Sequence, residues 1–333
     1  MGNVYLHLNK YDDAEMALQQ ALGHHKASGS QQGEANDLKD LAWIYQYRND
    51  LNHARDTLEE ALSLHRAIED HLGEANTLRS LGDLFYQQHD LHSAEPSLND
   101  ALLLYCANDD HLGEANTLQS LGDVYCQRSD YDKVECTYKK AASLHHSLQS
   151  RLGEATDHRN LAVMYIERGD LDKAEASSHA ALDLYRAMHD QLGEANSLQD
   201  LGRVYLYRED LPNAEESLKN ALALHRAVQD QMGEANDLTD LAEKVLCDAV
   251  DLWRTIHVPL GEGNALKTLG RVYTRMERFD EAETALTRAL ELHRAIEWVK
   301  VSIWNNEQAL QELRQAREAS AREDSTPTEH PSL

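Results

Sequence analysis

The side chains that could do chemistry come in rows. Eighteen histidines and four cysteines (Cys106, Cys126, Cys136, Cys247) form the metal-capable set. The cysteines show no CxxC or related ligand spacing, so they read as reduced thiols rather than metal ligands or a disulfide framework. His65, His145, His225 and His293 recur at one position that Tyr105, Tyr185 and Trp253 fill elsewhere. A position that accepts imidazole, phenol and indole alike is a packing position, so no metal and no cofactor is expected. The chain contains no GxxxxGK[ST], GxSxG or HExxH motif and no Cys/His nucleophile pair, which leaves an enzyme reading without residues.

A second set has the chemistry of recognition. Asn36, Asn76, Asn116, Asn196, Asn236 and Asn264 share one position, with Thr156 as the exception. Three residues further on stand Lys39, Arg79, Gln119, Arg159, Gln199, Thr239 and Lys267; four beyond these stand Trp43, Asp83, Asp123, Val163, Arg203, Glu243 and Arg271. Offsets of 0, 3 and 7 put the three rows on one helix face, separate from the Leu-rich one. An Asn amide offers both donor and acceptor, so a row of them can pair with the backbone of an extended peptide. The same Asn can equally bond within its own helix or to the next repeat. The third row has diverged while its surroundings stayed alike, as expected of a tuned surface or of exposed sites under relaxed constraint. The expected peptide-binding set is the six Asn residues with Lys39, Arg79, Arg159, Arg203, Lys267 and Arg271.

These rows exist because the chain repeats. Gly-Glu-Ala begins at Gly33, Gly73, Gly113, Gly153, Gly193 and Gly233, each 40 residues after the last, and Gly261-Glu262-Gly263 follows 28 residues later. Leu78, Leu81, Gly82 and Phe85 stand at i, i+3, i+4 and i+7, and Ala94, Leu98, Ala101, Leu102 and Tyr105 make a second apolar face. Each unit therefore reads as two helices of roughly 18 residues. Asp50, Asp90, Asp130, Asp170 and Asp210 stand as N-caps of the second helices, and Asp70, Asp110, Asp190 and Asp230 as caps of the first. Glu74 and its equivalents sit near the positive helix end. Small Gly82, Gly122 and Gly202, with Ala42 and Ala162 in the same slot, allow close crossing.

Of 333 residues, 58 are acidic and 32 basic, giving a net charge of −26. That balance argues against nucleic acid, whose phosphates need clustered Lys and Arg, and disfavours an anionic membrane surface. With 41% hydrophobic residues the chain can bury a core. Length alone suggests two domains, but the period favours one quasi-linear array. Met1-Gly2-Asn3-Val4-Tyr5 lacks the basic and apolar regions of a signal peptide. No run approaches the roughly 20 apolar residues of a membrane span, so a cytoplasmic location and no membrane insertion are expected.

The pattern Leu-Gly-x-x-Tyr … Asp-Leu-x-x-Ala-x-x-x-Leu-x-x-Ala-Leu resembles the tetratricopeptide repeat (TPR), in particular the 40-residue, long-helix type of kinesin light chains, Pins-type polarity adaptors and STAND-type NTPase sensors. The resemblance spans about 1–298 and implies an all-α, right-handed superhelical solenoid of antiparallel helix pairs. It places the three rows on the concave groove, and similar asparagine ladders grip peptides in the first two groups. The carboxylate clamp of chaperone-binding TPR domains needs Lys and Arg where this chain has Asn36, Asn76, Asn116, Asp40, Ser80 and Ser120, so that ligand is not expected. No Gα-binding motif of the Pins type follows the repeats.

The expected organisation is a partial repeat at 1–32, five regular units at 33–232, a shortened unit at 233–260, a last unit at 261–298, a capping helix at 299–321 and a disordered tail at 322–333. Met1 to Tyr5 match the middle of a first helix, so the chain reads as starting inside a repeat. The shortened unit has lost 12 residues, turn included, and nothing between Glu234 and Ile256 breaks a helix. One helix of about 23 residues, roughly 35 Å, is expected there, with Leu238, Leu241 and Ala242 matching the first helix of a regular unit. Pro96 is expected to kink its helix, and Pro212 to sit in a first turn. The functional expectation is a non-enzymatic adaptor that binds a peptide or helix, favouring one with acidic side chains because the rows are basic. The sensor portion of a STAND signalling NTPase is the alternative. Self-association through the N-terminal face is a third reading.

Overall fold

The computed structural model describes residues 11–208, 210–255, 257–296 and 300–323, and among them it holds fifteen helices and no strand. The chain divides into two compact units, residues 1–190 and 191–333. The first contains α1 (Tyr11–Ser28), α2 (Gln31–Tyr47), α3 (Leu51–Ala67), α4 (His71–Gln87), α5 (Leu91–Ala107), α6 (His111–Gln127), α7 (Tyr131–Ser147), α8 (Arg151–Arg168) and α9 (Leu171–Met188). The second contains α10 (Gln191–Tyr207), α11 (Leu211–Ala227), α12 (Gln231–Thr255), α13 (Pro259–Arg275), α14 (Phe279–Arg294) and α15 (Lys300–Glu323). Within each unit consecutive helices pack on one another in antiparallel pairs. This is the expected all-α helical-hairpin repeat.

Each second helix serves two neighbours. Ala54 and Leu58 of α3 pack on Ala42 of α2 and on Leu81 and Leu84 of α4, while Ala101 and Tyr105 of α5 meet Ala75 and Leu78. Burying one such Leu stabilises by about 1.5–3 kcal/mol, and no hairpin could bury both faces alone. The small slot behaves as expected: a Cβ on Gly82 would meet the Leu98 side chain, and one on Gly202 the Leu218 side chain.

The turns are shorter than a simple loop because one Asp does two jobs. At the end of α3 the Asp70 amide donates to His65 O (2.9 Å) and the Glu69 amide to Arg66 O (3.2 Å), a Schellman closure. The Asp70 carboxylate then accepts from Gly73 N (2.9 Å) and caps α4. Glu69 takes φ 56°, and non-glycine residues at several other turns, among them Asn49, His89 and Gln149, also adopt left-handed backbone. Asp50, Asp90, Asp110 and Asp210 cap as expected. Asp130 and Asp170 make no side-chain cap bond. Lys133 (3.1 Å) draws the first carboxylate aside, and Arg168 (3.3 Å) and Lys173 (3.7 Å) the second. The Glu of Gly-Glu-Ala adds a bond across the turn, Arg66 Nε to Glu74 Oε1 at 2.7 Å and Arg226 Nε to Glu234 Oε1 at 2.8 Å.

Around the 12-residue loss, α12 runs from Gln231 to Thr255 through Lys244 without a break. Two of the residues that match the first helix are not covered here: Leu238 is 46% exposed and Ala242 is exposed, while Leu241 is half-buried. The second helix those residues would have met is missing, while Asp237, Asp240 and Glu243 on another face are buried. Helix α5 continues unbroken through Pro96, and Pro212 lies in the first turn of α11. Ala309 and Leu313 of α15 close over Ala282 and Leu286 of α14. The reading of Met1 to Tyr5 as a partial helix, the side chains of Val301, Ile303 and Trp304, and the tail beyond Glu323 lie outside the described residues. No described helix is long and apolar enough to cross a membrane.

Candidate interaction face

The ring position explains why Gly-Glu-Ala begins with glycine. His65, Tyr105, His145 and His225 are buried, and each ring lies where a Cβ on Gly73, Gly113, Gly153 or Gly233 would stand. Trp253 covers Gly261 in the same way. Three histidines bind an aspartate twelve residues on: His25 Nδ1 to Asp37 Oδ2 at 2.6 Å, His145 to Asp157 at 2.7 Å, and His225 to Asp237 at 2.7 Å. Where the ring is Tyr105 or Tyr185, the twelfth residue is Thr117 or Ser197, whose hydroxyl donates to its own helix backbone. The signal was in the sequence, because Asp appears at that position only where His stands twelve residues earlier. Among the described residues no group of His, Cys, Asp and Glu could hold a metal ion.

The asparagine row is partly turned inward. Asn76 accepts from Tyr105 OH (2.8 Å) and donates to Leu72 O (2.9 Å), so both ends of its amide have protein partners. Asn116 Oδ1 faces His145 Nε2 at 3.4 Å, and Thr156 meets Tyr185 OH at 3.3 Å. In the second row Gln119 donates to Asp157 (3.0 Å) and Gln199 to Asp237 (2.9 Å). These residues tie one repeat to the next. Asn36, Asn236 and Asn264 are exposed, while Asn196, Lys39, Arg159, Arg203 and Lys267 are half-buried. Arg79 reaches Asp83 at 3.6 Å, and Arg271 reaches Glu312 at 3.3 Å.

In the second unit the rows meet at a cleft of about 620 Å³. Arg203 and Gln199 of α10 form one wall, Asn236, Leu238, Asp240 and Ala242 of α12 the floor, and Val272, Arg275 and Met276 the other wall. A smaller cleft of about 450 Å³ includes Tyr207, Glu243, Cys247, Tyr273 and Arg278. There the Arg278 guanidinium lies 4.7 Å from the Tyr207 ring and 4.4 Å from the Tyr273 ring, and pairs with Glu243 at 2.8 Å. Burial pushes the Cys247 thiol upward, away from thiolate chemistry. In the first unit the third row begins with Trp43, exposed and stacked near Tyr47, which in turn stacks on Tyr11 at 3.9 Å.

Several acids on the first helices are held toward their neutral form. Burial raises Asp240 to about 7 against the opposing pull of Arg203. Burial raises Asp123 to about 6 despite the Tyr138 hydroxyl it accepts from, with nearby Asp83 adding to the rise. Burial likewise raises Asp157 to about 6, opposed by its His145 bond. The formal charge thus overstates the negative character of these helices near neutral pH.

A family model for the tetratricopeptide repeat matches residues 1–67, 53–107 and 154–227, and a second model of the same repeat matches 265–297. A search of curated protein sequences finds no match. Among solved structures the chain is similar to BtubC (BKLC) from P. vanneervenii, with TM-score 0.60 and 18% identity over 66% of this chain and 92% of that one. It is also similar to the STAND protein with a tetratricopeptide repeat sensor, PH0952 from Pyrococcus horikoshii, with TM-score 0.64 and 13% identity over 95% of this chain and 45% of that one. The nearly identical TPR-like repeats of a Podospora anserina chain assigned to the kinesin light chains align with TM-score 0.51 and 13% identity over 59% and 96%. At these identities the likeness is one of fold. Sequence matches over more than half of the chain and helix pairs packed in series agree: this chain belongs to the tetratricopeptide repeat family.

Proposed function

We propose that the chain is a non-catalytic, cytoplasmic interaction scaffold that holds a segment of a partner protein against its first-helix face. The observation that carries this is the contrast between ties that recur from unit to unit and a surface row that varies. Ring, glycine and cap positions repeat from unit to unit, whereas the third row passes from Trp43 through Asp83, Asp123 and Val163 to Arg203. Recognition in this reading rests on that row, on Lys39, Arg203 and Lys267, and on the exposed amides of Asn36, Asn236 and Asn264. Asn76 and Asn116 act through stability instead, because their amides face Tyr105 and His145. Selection from a displayed peptide library on the immobilised chain tests it. Enrichment of acidic sequences is expected, with affinity reduced about tenfold by Lys39→Glu or Arg203→Glu. A library that yields no saturable binder sinks the proposal.

A second reading is favoured by the likeness to the sensor-bearing STAND protein over 95% of this chain. Here the repeats are the sensor of a signalling NTPase. Reading the coding sequence before Met1 for a Gly-x4-Gly-Lys-Ser/Thr loop decides it.

A further inference from the structure

We propose that the contracted unit at α12 is a receptor for a helix from another protein, an amphipathic helix with this array's own Ala-x3-Leu-x2-Ala seam and acidic flanks, seated on Leu238, Ala242 and Val245. This deepens the interaction-scaffold reading and rests on it. In regular units the counterparts of these residues meet their own second helix. Leu78 and Leu198 are only 5% and 6% exposed, and Gly82 and Gly202 lie against Leu98 and Leu218. In α12 the start of that second helix is among the lost residues, and Leu238 and Val245 stand 46% and 61% exposed. An exposed apolar stripe of this kind marks an interaction surface.

The stripe cannot turn inward. Asp237 is fixed by His225 and Gln199, Glu243 by Arg278 at 2.8 Å, and Lys244 by Glu215 at 2.6 Å. These bonds set the rotation of α12 with its polar side inside. The cleft beside the stripe has apolar side chains from α12 and from Val272 and Met276. Its two walls carry Arg203 and Arg275, and Arg275 has no carboxylate partner among the described residues. An incoming helix therefore gains most from leucine on its seam and carboxylates beside it. The second helices of this chain show the seam: Ala54, Leu58 and Ala61, then Ala214, Leu218 and Ala221.

The test uses a fluorescently labelled peptide of residues 279–294, which carries Ala282, Leu286 and Ala289 with four carboxylates against two arginines. Saturable binding to the full chain, with gain of peptide helicity, is expected. Leu238→Glu and Ala242→Glu should each weaken it at least tenfold with the circular dichroism of the chain intact, and Arg275→Glu should weaken it severalfold. A Leu286→Asp peptide should not bind. Absence of saturable binding, or equal affinity for the Leu238→Glu chain, overturns the proposal. So does concentration-dependent dimerisation that Leu238→Glu abolishes, which would make the face a contact between copies. If the 279–294 peptide fails to bind while a library-selected acidic peptide binds the chain, the helix site falls and the broader scaffold reading stands; a library with no saturable binder removes both.

Discussion

His145 Nδ1 and Asp157 Oδ2 lie 2.7 Å apart, both buried, and join the end of α7 to the middle of α8. The same imidazole lies over Gly153. One side chain thus fills the space of an absent Cβ and hydrogen-bonds a carboxylate that Gln119 of α6 also holds. Ring, glycine and acid form a single junction.

Gly153→Ala should destabilise by about 1–3 kcal/mol, because the added methyl overpacks against the ring. In a His145→Ala background the same change should cost much less, since the space is then empty. Urea unfolding of both single variants and the double variant gives the coupling. Additive costs would show that the glycine serves something other than the ring.

Asn76→Ala should cost about 1–2 kcal/mol by leaving Tyr105 OH without its acceptor. With Tyr105→Phe already present the loss should shrink. An Asn76→Ala chain of unchanged stability and reduced peptide affinity would return that residue to the binding face.

The raised Asp240 gives stability an unusual pH dependence. A carboxyl with folded pKa about 7 and an unfolded value near 3.8 binds protons more tightly in the native state. Its contribution is therefore favourable at low pH and is lost as pH rises from about 4 to 7. Asp240→Asn should stabilise by about 2–4 kcal/mol at pH 8, a tenfold change in proton affinity being about 1.4 kcal/mol, and do little at pH 4. Denaturant midpoints at the two pH values check it. Destabilisation at pH 8 would mean that the ionised carboxylate is needed by Arg203.

Glu69 and Gln149 hold left-handed backbone at φ 56° and 57°. Replacing either by Gly should remove strain of about 1 kcal/mol, less some cost in unfolded-state entropy. Thermal melts should rise by a few degrees. A fall would mean that the side chain makes a contact outweighing the strain.

The helix pairs, their period and their turns were legible because leucine spacing and capping aspartates are local signals. The small slot at Gly82 was legible for the same reason. The bonds of Asn76 were not, since its partner Tyr105 lies 29 residues away and an amide suits a ligand as well as a neighbour. The exposure of Leu238 was hidden more deeply. A helix-period pattern names the residues of one face, but only the absent neighbour decides whether that face is covered.

Helix α12 packs on α11 as a first helix does and on α13 as a second helix does. A regular array can fray one hairpin at a time, because each connection is a turn that can open by itself. Here two hairpins share a continuous backbone with no turn between them. The region from α11 to α14 should therefore open as one cooperative block, its amide protons exchanging together, while hairpins elsewhere let go singly.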